Sequence, residues 1–170
     1  MARYRPFANW VNQDLVLFHG TLDVHEAAVL GGVNVAAGSA FTDFGRGFYT
    51  TTLERQARLW ALQLAQQTGR GPAVIRFIVS RKALAGLDCL WFVRGHYDAH
   101  DFWNFVNHCR RGGAHLRGGG SWYDAVVGPV ARKPASLRKT LFSFDQVSFH
   151  TNRSAALLDN CLQAGLASFP

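Results

Sequence analysis

The chain has 170 residues, a formal net charge of +7 at pH 7, and is 48 % hydrophobic and 13 % aromatic. That length and composition predict one compact domain over residues 1–170 and exclude a disordered chain. No apolar run approaches ~18 residues, which excludes a helical membrane span and predicts no membrane partner.

The first residues lack the apolar core of a signal peptide. Cys89, Cys109 and Cys161 stand far apart, match no metal-ligand spacing and leave an odd thiol under any pairing. Reduced, buried thiols in the cytoplasm are the expectation, and a toxin handed to a dedicated secretion system would carry the same signature. The basic balance suits a polyanionic partner such as RNA or DNA, and equally a protein that is merely basic.

In chain order, residues 1–13 read as an irregular lead-in, with Trp10 a candidate to pack on the domain. Residues 15–21 form a continuous apolar strand that turns polar at His19, Gly20 and Thr21. A glycine-bearing strand end is a common place for a functional group, although a lone histidine there also fits a structural role. A helical turn around 24–30 leads into a small-residue loop at 31–39.

Residues 43–52, DFGRGFYTTT, pack two glycines, Arg46 and two aromatics into a short span. Residues 48–51 read as a strand. Thr51 and Glu54 have capping-box spacing for a helix over 53–68, with Leu53, Ala57, Trp60, Ala61 and Leu64 as its apolar run and Gly69 as its stop.

Residues 73–79 and 87–93 are predicted strands. Asp98 is placed to cap a helix reaching Arg111, with Phe102, Phe105, Val106 and Cys109 as its stripe and Trp103 off it. Glycines at 112–113 and 118–120 frame a basic loop carrying His115 and Arg117. The strand over 123–130 is interrupted at Gly128 and Pro129, so it is expected at a sheet edge or ending in a turn. A basic connection at 132–138 precedes an alternating strand over 140–150, in which Val147 and Phe149 face the core and Gln146 faces any cleft. A final helix is predicted over 153–167.

Several chemistries are set aside. His96, His100, His108 and His115 share one window with Cys109, but they straddle a helix start without a glutamate, so no metal is expected. Gly45, Arg46 and Gly47 lack the lysine and spacing of a P-loop. Each cysteine falls in an apolar pattern, which argues for inert burial.

Three separated pieces are more specific together: HGT at 19–21, GFY at 47–49 and DQVSFHT at 145–151. Together they resemble the ADP-ribosyltransferase superfamily. Within it the match is closest to a bacterial family of uncharacterised domains carrying HGS/T, DFGxGFYxT followed by QAxxWA, a late GPVA, and DQxxFHT. The resemblance covers about residues 15–160 and includes Gln56, Ala57, Trp60, Ala61 and GPVA at 128–131.

What it implies is an α+β fold, a split mixed β-sandwich with flanking helices and a cleft for NAD, with no metal. His19 would bind a ribose hydroxyl, the Gly20 backbone would clamp the carboxamide, and Tyr49 would stack on the nicotinamide. Thr21, Arg46, Gly47 and Phe48 would line the cofactor site, with Arg46 near the pyrophosphate. The implied activity is transfer of ADP-ribose from NAD to a macromolecule by a bacterial toxin or effector, paired with an antitoxin or immunity protein. The alternatives are an NAD glycohydrolase and a non-catalytic NAD- or nucleic-acid-binding module.

The third position departs from the superfamily. Active members carry a glutamate there to stabilise the oxocarbenium-like transition state, whereas this chain has Gln146. Gln146 can accept a hydrogen bond but offers neither charge nor base, so Gln146→Glu is expected to keep or raise turnover. Asp145 should face the other way, and Asp43 or Asp124 are candidates to supply a carboxylate from another loop. Members that modify arginine also carry a glutamate two residues earlier, where this chain has Phe144. That favours RNA or DNA as acceptor, with Trp103 or Trp122 stacking on an unpaired base.

Overall fold

The computed structural model describes residues 13–93, 99–115, 122–132 and 139–163. Trp10, the Asp98 cap, Arg117, the connection at 133–138 and the end of the last predicted helix lie outside them. Within them the chain is a mixed α+β structure with two sheets.

The strands are β1 Leu15–Leu22, β2 Phe48–Thr50, β3 Pro72–Val79, β4 Cys89–Trp91, β5 Ala125–Arg132, β6 Lys139–Phe149 and β7 Leu162–Gln163. The helices are α1 Asp23–Leu30, α2 Glu54–Thr68, α3 Arg81–Leu84, α4 Ala99–Arg110 and α5 Asn152–Asp159, with one 3₁₀ turn at Val35–Ala37. One sheet runs β1-β3-β7 and is antiparallel; the other runs β2-β6-β5-β4, with only the β4–β5 pair parallel.

The two sheets face each other across the main core. Leu17, Ile75, Phe77 and Val79 meet Phe48, Ala125, Val147 and Phe149, and Ala155 and Leu158 of α5 close one side. Each sheet is also covered outside, which gives a second and third apolar cluster. Phe18 and Val74 pack on Ala57 and Ala61 of α2. Val126 and Ala131 pack with Phe44 on Phe102, Trp103 and Val106 of α4. Burying each large side chain of these clusters is worth roughly 1.5–3 kcal/mol.

The α2 contact explains a sequence misreading. A Cβ on Gly20 would lie 2.1 Å from the Ala57 carbonyl oxygen, so helix and strand backbones touch. Only alanines fit such an interface, and the larger members of the expected stripe are pushed outward: Trp60 is 53 % exposed and Leu53 40 %. Thr51 and Glu54 make no capping box either. The helix starts from Leu53 without a side-chain cap, and Gly69 ends it in the left-handed conformation.

Three further expectations are corrected. β5 is not an edge strand, since it lies between β6 and β4. Pro129 is tolerated because β4 pairs only as far as Val127, and the register with β6 shifts between Pro129 and Val130, where no donor is needed. Trp103 is buried at 5 % exposure, since α4 presents a wide face to Phe44 and the outer side of the sheet. The last helix stops at Asp159, and the chain then adds β7 to the edge of β3.

Candidate functional site

Among the described residues, one pair of backbone bonds links the two sheets. Phe18 N–H donates to the Thr51 carbonyl at 2.8 Å, and Thr51 N–H donates back at 2.9 Å. Continuing that antiparallel register would set Gly20 opposite Tyr49, but the ladder stops and the strands part. Instead the His19 side chain bridges the gap, its Nδ1–H donating to the Tyr49 carbonyl at 2.7 Å.

That bond makes Nε2 the acceptor nitrogen of the neutral ring, and it has no partner among the described residues. Burial pushes the His19 pKa down to about 4, with the Tyr49 carbonyl opposing and His25 adding to the shift. The half-buried ring stacks on Phe48 at 4.2 Å between centroids.

Backbone groups alternate edges along a strand. Since Phe18 turns both of its groups toward Thr51, Gly20 turns its N–H and C=O to that same edge, into the gap. Thr21 is buried on the His19 face of β1. His19, Gly20 and the Tyr49 backbone are thus brought together at the seam where the sheets diverge, while the Tyr49 side chain lies on the opposite face with Phe44.

Tyr49 has a structural task that the sequence did not disclose. Its hydroxyl lies 2.7 Å from the Gly45 carbonyl and from Thr42 Oγ1, and accepts the Phe44 amide at 3.0 Å. Burial drives its phenol well above the ordinary value, the hydroxyl pins the 42–45 turn, and the half-buried ring packs beside the Phe44 cluster. Phe48 does not line an open cleft. It is 7 % exposed and sits in the core between His19 and Phe77.

Gly47 is where His150 and the Phe149 carbonyl press in, both within 2.6 Å of a Cβ built there. Arg46 is exposed and makes no ion pair among the described residues, while its carbonyl accepts His150 Nδ1–H at 2.7 Å.

Gln146 is not turned to an open cleft. It is 8 % exposed, held against Asp43 of the 43–47 turn and the Pro129 carbonyl of β5. Its Nε2 donates to Asp43 Oδ2 at 2.8 Å and to the Pro129 carbonyl at 3.0 Å, and these two acceptors fix the amide orientation. Among the described residues its Oε1 has no partner.

Neither alternative carboxylate is free to replace a glutamate. Asp43 also takes Ala131 N–H at 2.8 Å and Arg110 Nε at 2.7 Å, and pairs with Arg110 Nη2. Asp124 takes Asp88 N–H, Thr151 Oγ1 and Arg153 Nη1, which ties β4 and α5 to the start of β5. Asp145 accepts from Thr51 Oγ1 and from the amide and hydroxyl of Thr52. Gln56 holds the Asp145 backbone through both of its amide atoms.

Sequence reasoning weighed His115 only as a metal-ligand candidate and His150 only as part of a motif, and the structure buries the two against each other. His150 bridges the Arg46 carbonyl and Ser148 Oγ, with its pKa lowered to about 4 by burial. His115 packs edge-on against it at 4.4 Å. The FHT motif named the first; nothing local marks the second. Burial and Asp43 raise the Cys109 thiol to about 12, which leaves it no nucleophile.

The model of the family described as "Protein of unknown function (DUF3990)" matches residues 15–144. The chain belongs to the DUF3990 family. No curated protein matches it. The DUF3990 match spans β1 to the middle of β6, including His19, Tyr49 and Asp43 but stopping before Gln146.

Proposed function

We propose that this chain is an NAD-dependent ADP-ribosyltransferase of the split β-sandwich type, a toxin or effector domain that passes ADP-ribose to a nucleic acid. The observation that carries this reading is the seam between the sheets. There a neutral imidazole with an open acceptor nitrogen, held by the Tyr49 carbonyl, lies beside an unpaired glycine edge.

His19 Nε2 suits a ribose hydroxyl donor. The Gly20 N–H and C=O suit both ends of a primary carboxamide. In the reaction the C–N glycosidic bond breaks with its electron pair leaving on nicotinamide. The acceptor oxygen or nitrogen then attacks the ribose C1 and loses its proton to solvent. Arg46, exposed and unpaired among the described residues, is suited to the pyrophosphate.

A second reading, a binder of NAD that does not turn it over, draws on one specific observation. Asp43, Asp124 and Asp145 are all engaged, and Gln146 is neutral and held by its amide nitrogen. Incubation with NAD separates the readings. Nicotinamide release only with RNA or DNA present is expected for the transferase, release in buffer alone marks hydrolysis, and binding without release marks the binder. No binding at all defeats every version.

A further inference from the structure

Proteins close their sheet edges with a charge, a proline or a covering element, because unpaired backbone groups template a further strand. Among the described residues β4 has none of these. It ends its sheet paired with β5 alone, and from Cys89 to Val93 it carries neither a charged residue nor a proline. Trp91 is 56 % exposed and Val93 74 %.

The open groups on this edge follow from the ladder. Phe92 N–H donates to the Val127 carbonyl and the Asp88 carbonyl accepts from Ala125 N–H, so alternate residues from 88 to 92 turn their backbone to β5. Cys89 and Trp91 turn theirs the other way, where neither N–H nor C=O has a partner among the described residues. Donors and acceptors at that spacing are matched by another extended chain.

Beside the edge lies a groove of about 360 Å³ between α3 and β4. Leu84, Ala85, Leu87, Cys89 and Trp91 give it apolar walls, and Arg81 completes the lining. The side chains of Cys89 and Trp91 leave β4 on one face, so an added strand would bring a side chain of its own over this groove.

Charge sets the kind of strand. Arg81 and Lys82 are exposed and make no ion pair among the described residues. Arg153 reaches the Gly86 carbonyl and pairs with Asp124, while Asp88 leads into β4. These cations outnumber the carboxylates beside them, in a chain of net charge +7. A second copy laid edge to edge would set like charges against each other, whereas an acidic chain would be drawn in.

We infer that the free edge of β4 binds an extended acidic segment of a partner protein as an added strand, with one of its apolar side chains seated between α3 and β4. This edge lies across β6 and β5 from β2 and the seam, and its use does not depend on the reaction proposed above.

Amide exchange of the full chain, followed by NMR, tests this with three capped peptides. One alternates Val and Glu around a central Leu, the second has Lys for every Glu, and the third is the acidic peptide N-methylated throughout. The Cys89 and Trp91 amides should exchange freely in the protein alone and slow when the acidic peptide is added. The other two peptides should leave them unchanged. Arg81→Glu should weaken the acidic peptide about tenfold, and its exposed, unpaired side chain makes the variant harmless to the fold.

Amides protected at every dilution without peptide would mean that the chain covers its own edge. Protection that grows with protein concentration, together with a dimer in sedimentation, would give the edge to a second copy. Equal slowing by the lysine or the N-methylated peptide would remove the charge or the strand from the recognition. Each of these results, or no slowing by the acidic peptide, overturns the proposal.

Discussion

The seam around His19 and the cage around Gln146 both carry motif residues, and they differ in what their polar atoms already do. At the seam, the His19 acceptor nitrogen and the two backbone groups of Gly20 face a gap without partners among the described residues. In the cage, Asp43 accepts from a guanidinium, a backbone amide and the Gln146 amide, all within 2.8 Å. Hydrogen-bond capacity left open is what a ligand can use; capacity closed inside the protein holds the fold. A motif can serve both ends, and the comparison shows which residue serves which.

The largest effect should come from breaking the cage. Asp43→Ala leaves a guanidinium, the Ala131 amide and the Gln146 amide without their common acceptor. The expected loss is about 3–5 kcal/mol of stability, read by urea unfolding. A loss below about 1 kcal/mol would mean the cage is not what joins β5 to α4.

Acid should act next, through the buried histidines. His19, His115 and His150 have folded pKa values lowered to about 4, 3 and 4, below the ordinary 6.5. Between pH 6.5 and about 4 the unfolded chain therefore binds more protons, and stability falls as pH falls through that window. Thermal melts from pH 7.5 to 4 should show Tm dropping mainly below 6.5, and His150→Asn should flatten the slope.

Gln146→Glu sharpens the comparison directly. From sequence, an added carboxylate should help the transition state. In the structure it would face Asp43 Oδ2 and the Pro129 carbonyl with no donor between them. The variant should lose roughly 1–3 kcal/mol and gain no nicotinamide release. A stable variant with faster release would place Gln146 at the chemistry after all.

Smaller still is Tyr49→Phe, which keeps the ring and removes the hydroxyl from the Gly45 turn. About 1 kcal/mol of stability should go while NAD affinity stays. His19→Ala closes the series: it takes away the bond to the Tyr49 carbonyl and the stack on Phe48, so stability should fall as well, and NAD binding measured by calorimetry should be lost. Unchanged binding would move the ligand away from the seam.

Much of the chain was legible because the cause was local. β1, β3 and α2 follow from apolar runs, hydrophobic spacing and a glycine stop. His19 and Gly20 were legible as candidates too, since a polar turn at the end of an apolar strand is written in the chain itself. The interior position of β5 was not, because Pro129 marks an edge unless one neighbour stops short and the other shifts register.

What the sequence alone determined is most of the strands and helices and the glycine beside His19 near the end of β1, because alternation and turn chemistry act between near neighbours. Only the tertiary structure decided which polar residues stay open. Strand parity set Gln146 opposite Val147, but whether that face meets water or another layer depends on α4, folded from residues some forty positions earlier. It met Asp43, itself held by Arg110 of α4, and the glutamine that looked like a catalytic residue became a buried donor to it.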